Sequence, residues 1–153
     1  MSTEDEPLAK PALETRPEVT EAVTRGTARL LVDMGYAPIF ELSLPNGRRA
    51  DIAAVSKKGE ILMVEVKSCR ADFEVDKKWP EYREYCDLFY FAVPEDFPVE
   101  LLPEDEALII ADGFGGAIVR PSEKITLAGA RRKQTLIRIA RSAAFKGLAT
   151  PRV

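Results

Sequence analysis

The sequence contains no histidine in its 153 residues. That absence removes the Ser–His–Asp triad, the Cys–His pair, the histidine general base and histidine-ligated zinc. Any catalysis has to run on carboxylates, lysine, tyrosine or a hard metal ion held by oxygen ligands. Cysteine is scarce too: Cys69 and Cys86 are far too few for a disulfide framework in a chain of this size. Cys86, beside a strongly apolar run, is expected to be a small core residue. No stretch reaches the roughly 18 uncharged apolar residues of a membrane span. Met1–Lys10 carries Glu4, Asp5 and Glu6 and no apolar run, so no secretory signal is expected. The expectation is a cytoplasmic protein without a membrane partner.

Excess positive charge is also missing, since the formal net charge is −3. That charge argues against a protein that coats nucleic acid along its whole surface, but not against one with a local basic face. Residues 131–153 hold Arg131, Arg132, Lys133, Arg138, Arg141, Lys146 and Arg152 and no acid, whereas the acids gather in the N-terminal tail and in 95–112. The asymmetry fits a phosphate-binding face, and it also fits a solvated helix, the commoner explanation.

What is present is enough for one ordinary domain. Residues 1–16, rich in Pro, Glu and Thr and without aromatics, are expected to form a disordered acidic tail, and 17–153 a single domain. From Pro17 to Met34 the apolar residues Val19, Ala22, Val23, Leu30, Leu31 and Met34 recur at helical spacing, and Gly35 supplies the stop. Three strands follow: Tyr36–Leu44, Arg49–Val55 and Glu60–Lys67. The turn Pro45-Asn46-Gly47 divides the first two and Lys57-Lys58-Gly59 the last two. Residues 72–85 are helical in their second half, with Pro80 in a first turn, and Leu88–Val93 is a buried strand. Ala107–Ala111 and Ala117–Val119 close a hairpin around Asp112-Gly113-Phe114-Gly115-Gly116. A basic helix from about Leu127 to Lys146 is expected to bury Leu136, Ile137, Ala140, Ala144 and Phe145 on one face. The order is α-β-β-β-α-β plus a C-terminal hairpin and helix, an α/β fold with a mixed sheet flanked by helices.

Two charged features interrupt the apolar second hairpin: Asp51, and Glu65-Val66-Lys67. Glu65 and Lys67 share one strand face. If Lys57-Lys58-Gly59 forms the loop, Ser56 faces Glu60, and five steps outward bring Asp51 opposite Glu65. Facing acids repel by up to about 1 kcal/mol, and desolvation adds to the cost unless a cation neutralises them. A divalent metal is the natural candidate, with Mg²⁺ preferring one or two carboxylates plus water. Lys67 would then orient a nucleophile or stabilise developing negative charge. The plainer alternative is a network in which Lys67 neutralises the two acids.

Arg49-Ala50-Asp51 followed after a hairpin by Glu65-Val66-Lys67 resembles the PD-(D/E)xK signature of the restriction-endonuclease-like nucleases, with Ala50 in place of the motif's proline. A longer set is more specific. Gly47–Asp51, Glu65–Ser68, Asp72-Phe73, Asp76–Tyr82 and Cys86–Val93 together resemble the MmcB family of bacterial DNA-repair-related proteins, over nearly the whole chain beyond the tail. The resemblance implies a restriction-endonuclease-like core and hydrolysis of DNA phosphodiester bonds by metal-activated water. It implies Mg²⁺ (or Mn²⁺) held by Asp51, Glu65 and the main-chain carbonyl of Val66, with Lys67 assisting the attacking water. Many active members add an acid from the first helix; Glu18 or Glu21 is available there, and Glu41 on the strand beside Asp51 is another candidate. DNA and other repair proteins are the implied partners. The competing expectation is a catalytically silent DNA-binding or adaptor module of the same fold acting in the DNA damage response.

Four neighbours admit DNA contacts: Arg48 and Arg49, which clamp phosphate or pair with acids, and Lys77 and Lys78, which meet phosphates or solvent. Trp79 and Tyr82 stack on a base or, the plainer reading, pack the helix onto the sheet. Asp72 extends the site or caps the following helix. Asp112-Gly113 with Gly115-Gly116 lacks the lysine and helix of a phosphate-cradling loop and is expected to be a hairpin turn.

Overall fold

The computed structural model describes residues 15–69 and 79–150. The tail expected over 1–16 lies outside them except for Thr15 and Arg16, which belong to the start of the first helix. That helix, α1 (Arg16–Asp33), opens with a reciprocal cap: the Glu18 amide donates to Thr15 Oγ1 at 3.3 Å and the Thr15 amide to Glu18 Oε1 at 2.9 Å. Gly35 follows the helix at φ +92°. Strands β1 (Tyr36–Ser43), β2 (Arg49–Ser56) and β3 (Ile61–Val66) come next. After a short 3-10 helix (Trp79–Tyr85) come β4 (Leu88–Val93), β5 (Leu108–Ala111), β6 (Gly116–Arg120) and the long helix α2 (Gly129–Ala149). The six strands form one sheet in sequence order. β1, β2 and β3 form an antiparallel meander, β3–β4 and β4–β5 are parallel, and β5–β6 is an antiparallel hairpin. The expected mixed α/β sheet is present, while the helix expected before β4 is a tighter 3-10 turn.

The apolar runs of β3 and β4 lack polar alternation because both sheet faces are covered. On one face Val23 and Leu31 of α1 pack on Ile52, Ala54, Leu62, Val64, Tyr90 and Ile109. On the other, Tyr82 and Tyr85 of the 3-10 helix and Ile139 of α2 join Ala53, Met63, Phe89, Phe91 and Leu108. α1 lies very close to the β5–β6 turn. A Cβ on Gly26 would stand 1.8 Å from the Asp112 carbonyl oxygen and 2.6 Å from that of Gly115.

α2 departs from expectation. Its buried residues are Thr135 and Ile139, and Leu136 packs against the core, but Ala140 and Ala144 are exposed, Ile137 is 48 % exposed and Phe145 61 %. Apolar spacing misjudged the face because polar contacts orient this helix. Arg132 forks onto Asp87, with both nitrogens 2.7 Å from the two carboxylate oxygens, and also donates to the Gly59 carbonyl at 2.9 Å. Asp87, 1 % exposed, further accepts from the amides of Ile61 and Leu127. Burial pushes its carboxyl up, but Arg132 and the two amides prevail and hold it below the ordinary value. Arg131 donates to the Glu84 carbonyl and lies over the Tyr85 ring.

Two stability measurements check this account. Gly26→Ala should lower the unfolding free energy by about 1–3 kcal/mol, because carbonyls of the β5–β6 turn have to retreat. Arg132→Ala should cost about 3–5 kcal/mol by leaving Asp87 buried without its cation. Because the folded-state pKa of Asp87 is depressed, the Asp87–Arg132 stabilisation is present above the unfolded value of 3.8 and lost as pH falls through the folded one. Urea midpoints of wild type and Arg132→Ala should therefore converge on acidification.

Candidate metal-binding acidic site

The β2–β3 hairpin sets the site. Gly59, at φ +87°, donates to the Ser56 carbonyl and Ser56 to that of Glu60, so Ser56 and Glu60 face each other as the loop length predicts. The register continues through Val55–Ile61 to Ile52–Val64, and one further step sets Asp51 opposite Glu65. There the ladder ends. The Val66 amide donates to Asp51 Oδ2 at 2.7 Å, so a side-chain carboxylate takes the hydrogen that strand pairing would otherwise use. On the other side of β2, Phe40 pairs with Ile52 and Leu42 with Ala50, but the intervening Glu41–Asp51 pair is missing. Glu41 adopts φ +57°, a left-handed conformation uncommon outside glycine. β2 is thus released from both neighbours at Asp51.

Glu65 lies between Val64 and Val66, which pack on the α1 face, so its side chain falls on the opposite face. Its Oε2 is 3.6 Å from Lys67 Nζ, and both side chains are nearly buried, at 11 % and 5 % exposure. The Lys67 amide donates to the Ala92 carbonyl at 3.0 Å, fixing the chain past the end of β3. Burial raises the Asp51 carboxyl above its ordinary value; the Val66 amide, the contact with Glu65 and the charge of Lys67 pull it down, and Glu41 pushes it up again. The three central residues therefore meet, as the hairpin register requires. A half-buried Asp51 and a buried Glu65 thus stand beside the buried Lys67 ammonium.

The additional acids are placed differently. Glu41 is exposed yet close enough for Asp51 to feel its charge. Glu18 is committed to the helix cap. Glu21 lies on the exposed side of α1, across the sheet from Glu65, where it and Glu41 line a cleft of about 1110 Å³ that does not include Asp51, Glu65 or Lys67. Among the described residues no group of three or more His, Cys, Asp and Glu is arranged to hold a metal ion. The donor set on hand is the Asp51–Glu65 pair, with the Val66 carbonyl next in the chain. Its all-oxygen chemistry fits a hard divalent ion such as Mg²⁺ or Mn²⁺.

Arg48 pairs with Glu81 at 3.1 Å, and Tyr82 donates to the Arg49 carbonyl at 3.1 Å, so the start of β2 is tied to the 3-10 helix. The Arg49 side chain is exposed. Tyr82 itself is buried and stacked on Phe89, the packing role. Lys77, Lys78 and Asp72, and the side chain of Trp79, lie outside the described residues. Asp112 is a turn residue: its Oδ1 accepts from the Phe114 and Gly115 amides, which consumes the donors a phosphate would need. Cys86 is buried and its thiol is pushed up to about 12 by burial, so it is a core residue with no thiolate chemistry. Sequence reasoning missed Asp87, although a lone acid at the mouth of an apolar strand is a signal that something must pair with it. It also missed the backbone of Glu41, for which no residue-type signal exists.

The fold and site define a small α/β protein in which a half-buried Asp51 meets a buried Glu65 and Lys67 where two sheet strands part. The model of the MmcB-like DNA repair protein family matches residues 8–150, and the chain belongs to that family. It is similar to a solved structure of a protein of unknown function from Silicibacter pomeroyi, with 41 % identity, a TM-score of 0.82, and 85 % of this chain and 89 % of that one covered. A comparison with curated proteins gives no match. Among the described residues no helix is long and apolar enough to cross a membrane.

The raised pKa of Asp51 has a consequence for stability. With the folded value above the unfolded one, the Asp51 contribution to stability is full below the unfolded value of 3.8 and is lost as pH rises through the folded one. Asp51→Asn, which keeps an acceptor for the Val66 amide, should raise the urea midpoint at pH 7 in metal-free buffer. The gain should vanish in acid.

Proposed function

We propose that this protein is a Mg²⁺- or Mn²⁺-dependent deoxyribonuclease of the restriction-endonuclease-like PD-(D/E)xK kind, acting in DNA repair. One observation carries the reading: the hairpin register and the Asp51–Val66 hydrogen bond bring Asp51, Glu65 and Lys67 to a single partly desolvated spot. The meander followed by parallel strands and flanking helices, together with the repair family, supports the same class. In this reading Asp51, Glu65 and the Val66 carbonyl hold the ion. A bound divalent cation supplies charge neutralisation and Lewis-acid activation for phosphodiester hydrolysis. Asp51 keeps its carboxylate oriented through the Val66 amide, and Glu65 keeps Lys67 within reach. The Lys67 ammonium orients the attacking water and offsets charge developing on the phosphate. With no histidine in the chain, the Lys67 ammonium is the cation that the described residues place beside Glu65.

A second reading, a catalytically silent DNA-binding module of the same fold, is favoured by the lack, among the described residues, of a third acid in the cluster. Metal titration separates the two. Mn²⁺ at a hundred times its dissociation constant should stabilise wild type by about 2.7 kcal/mol and leave Asp51→Ala unchanged; a silent module should show neither response. On branched, nicked and single-stranded DNA with Mg²⁺ or Mn²⁺, wild type should cut at least one substrate. Glu65→Ala should abolish cutting, and Lys67→Ala should reduce it by roughly a hundredfold or more. Equal cutting by all three proteins, or none by wild type, would sink the enzymatic reading.

A further inference from the structure

The helix α2 carries Arg131, Arg132, Lys133, Arg138, Arg141 and Lys146 and no acid, on a chain that is net −3. Its first half is spent on packing through Arg131 and Arg132. Its second half leans on the edge of β1. Arg138 donates to the Ser43 carbonyl and Lys146 to that of Phe40, both on the outer edge of β1. These partners are neutral, so the contacts cover the strand edge without cancelling charge. Among the described residues none of Arg138, Arg141 and Lys146 is in an ion pair.

Between the helix and β1 lies a groove of about 510 Å³, lined by Arg138, Arg141, Phe145 and Lys146 on the helix side and by Glu41, Leu42 and Ser43 on the β1 side. Glu41 stands opposite Asp51 along the β1–β2 register, between the Phe40–Ile52 and Leu42–Ala50 pairs. Phe145 is 61 % exposed, and the Arg141 guanidinium lies over its ring at 5.4 Å. An exposed aromatic backed by a cation, in a basic groove, has the chemistry of a base-stacking platform. Stacking requires an unpaired base, which duplex DNA does not offer.

We propose that this groove binds a single-stranded segment of DNA, its phosphates on Arg138, Arg141 and Lys146 and a base against Phe145, and that the strand leaves the groove at Glu41 toward Asp51. From Gln134 to Lys146 the helix rises about 18 Å, room for on the order of four nucleotides. The assignment of the strand's destination rests on the nuclease reading; the binding itself does not.

The test is fluorescence anisotropy with a labelled oligothymidylate in EDTA, where cutting is impossible, with duplex of equal length and phosphatidylserine vesicles as comparison arms. Arg141→Glu and Phe145→Ala alter exposed side chains and should fold as wild type by circular dichroism. Each should weaken single-strand binding roughly tenfold, and Arg141→Glu should also flatten the salt dependence. Lys57→Glu, in the β2–β3 loop at the far end of the hairpin from Asp51, should leave affinity unchanged. Unchanged affinity in both groove variants overturns the proposal. So does tighter binding to duplex, or binding to vesicles but not to DNA. Groove-dependent binding without metal-dependent cutting would remove the nuclease reading and leave the groove assignment standing.

Discussion

The candidate site depends on one hydrogen bond, from the Val66 amide to the Asp51 carboxylate. A backbone donor paired with an ionised acceptor is among the stronger bonds a protein makes, and here it stands where regular strand pairing ends. It fixes the Asp51 rotamer without using Lys67, which remains beside Glu65. It also marks the point at which β2 and β3 stop pairing, while the left-handed Glu41 marks the corresponding break toward β1. An interrupted ladder with charged groups at the break is costly for a sheet and informative about use.

The second constraint is the Asp87–Arg132 fork, which ties α2 to the start of β4 and, through Ile61 and Gly59, to the β2–β3 hairpin. It decides which side of α2 faces the sheet, against the preference of the helix's own apolar residues. Ile137, Phe145 and Leu148 remain outward as a result, beside Arg138, Arg141 and Lys146, which among the described residues form no ion pair. A single buried ion pair thus connects the packing of the domain to the character of its surface.

Much of this was legible in the sequence because local signals and global fold agree. Gly59 closes a three-residue loop, and that loop length alone set Asp51 against Glu65; the strand runs of β3 and β4 showed burial on both faces by their lack of alternation. The family resemblance carried by Asp51, Glu65–Lys67 and the 76–93 segment matches the family the chain belongs to. Other features were not legible, for physical reasons. The face of α2 was set by Arg132 finding Asp87 forty-five residues away, a pairing that helical periodicity does not encode. The 3-10 form of residues 79–85 and the positive φ of Glu41 are tertiary impositions on residues without a corresponding local preference. The role of a third acid could not be read either, since Glu18 was used in a cap and Glu21 lies across the sheet.

The central claim is that Asp51 and Glu65 share one divalent ion. Crystals of the protein equilibrated with Mn²⁺ and measured near the manganese absorption edge test it most directly. An anomalous peak within coordinating distance of both carboxylates, absent from Asp51→Asn crystals, is the predicted result. A peak elsewhere, or none at saturating Mn²⁺ with the Asp51 and Glu65 side chains turned apart, would contradict the account.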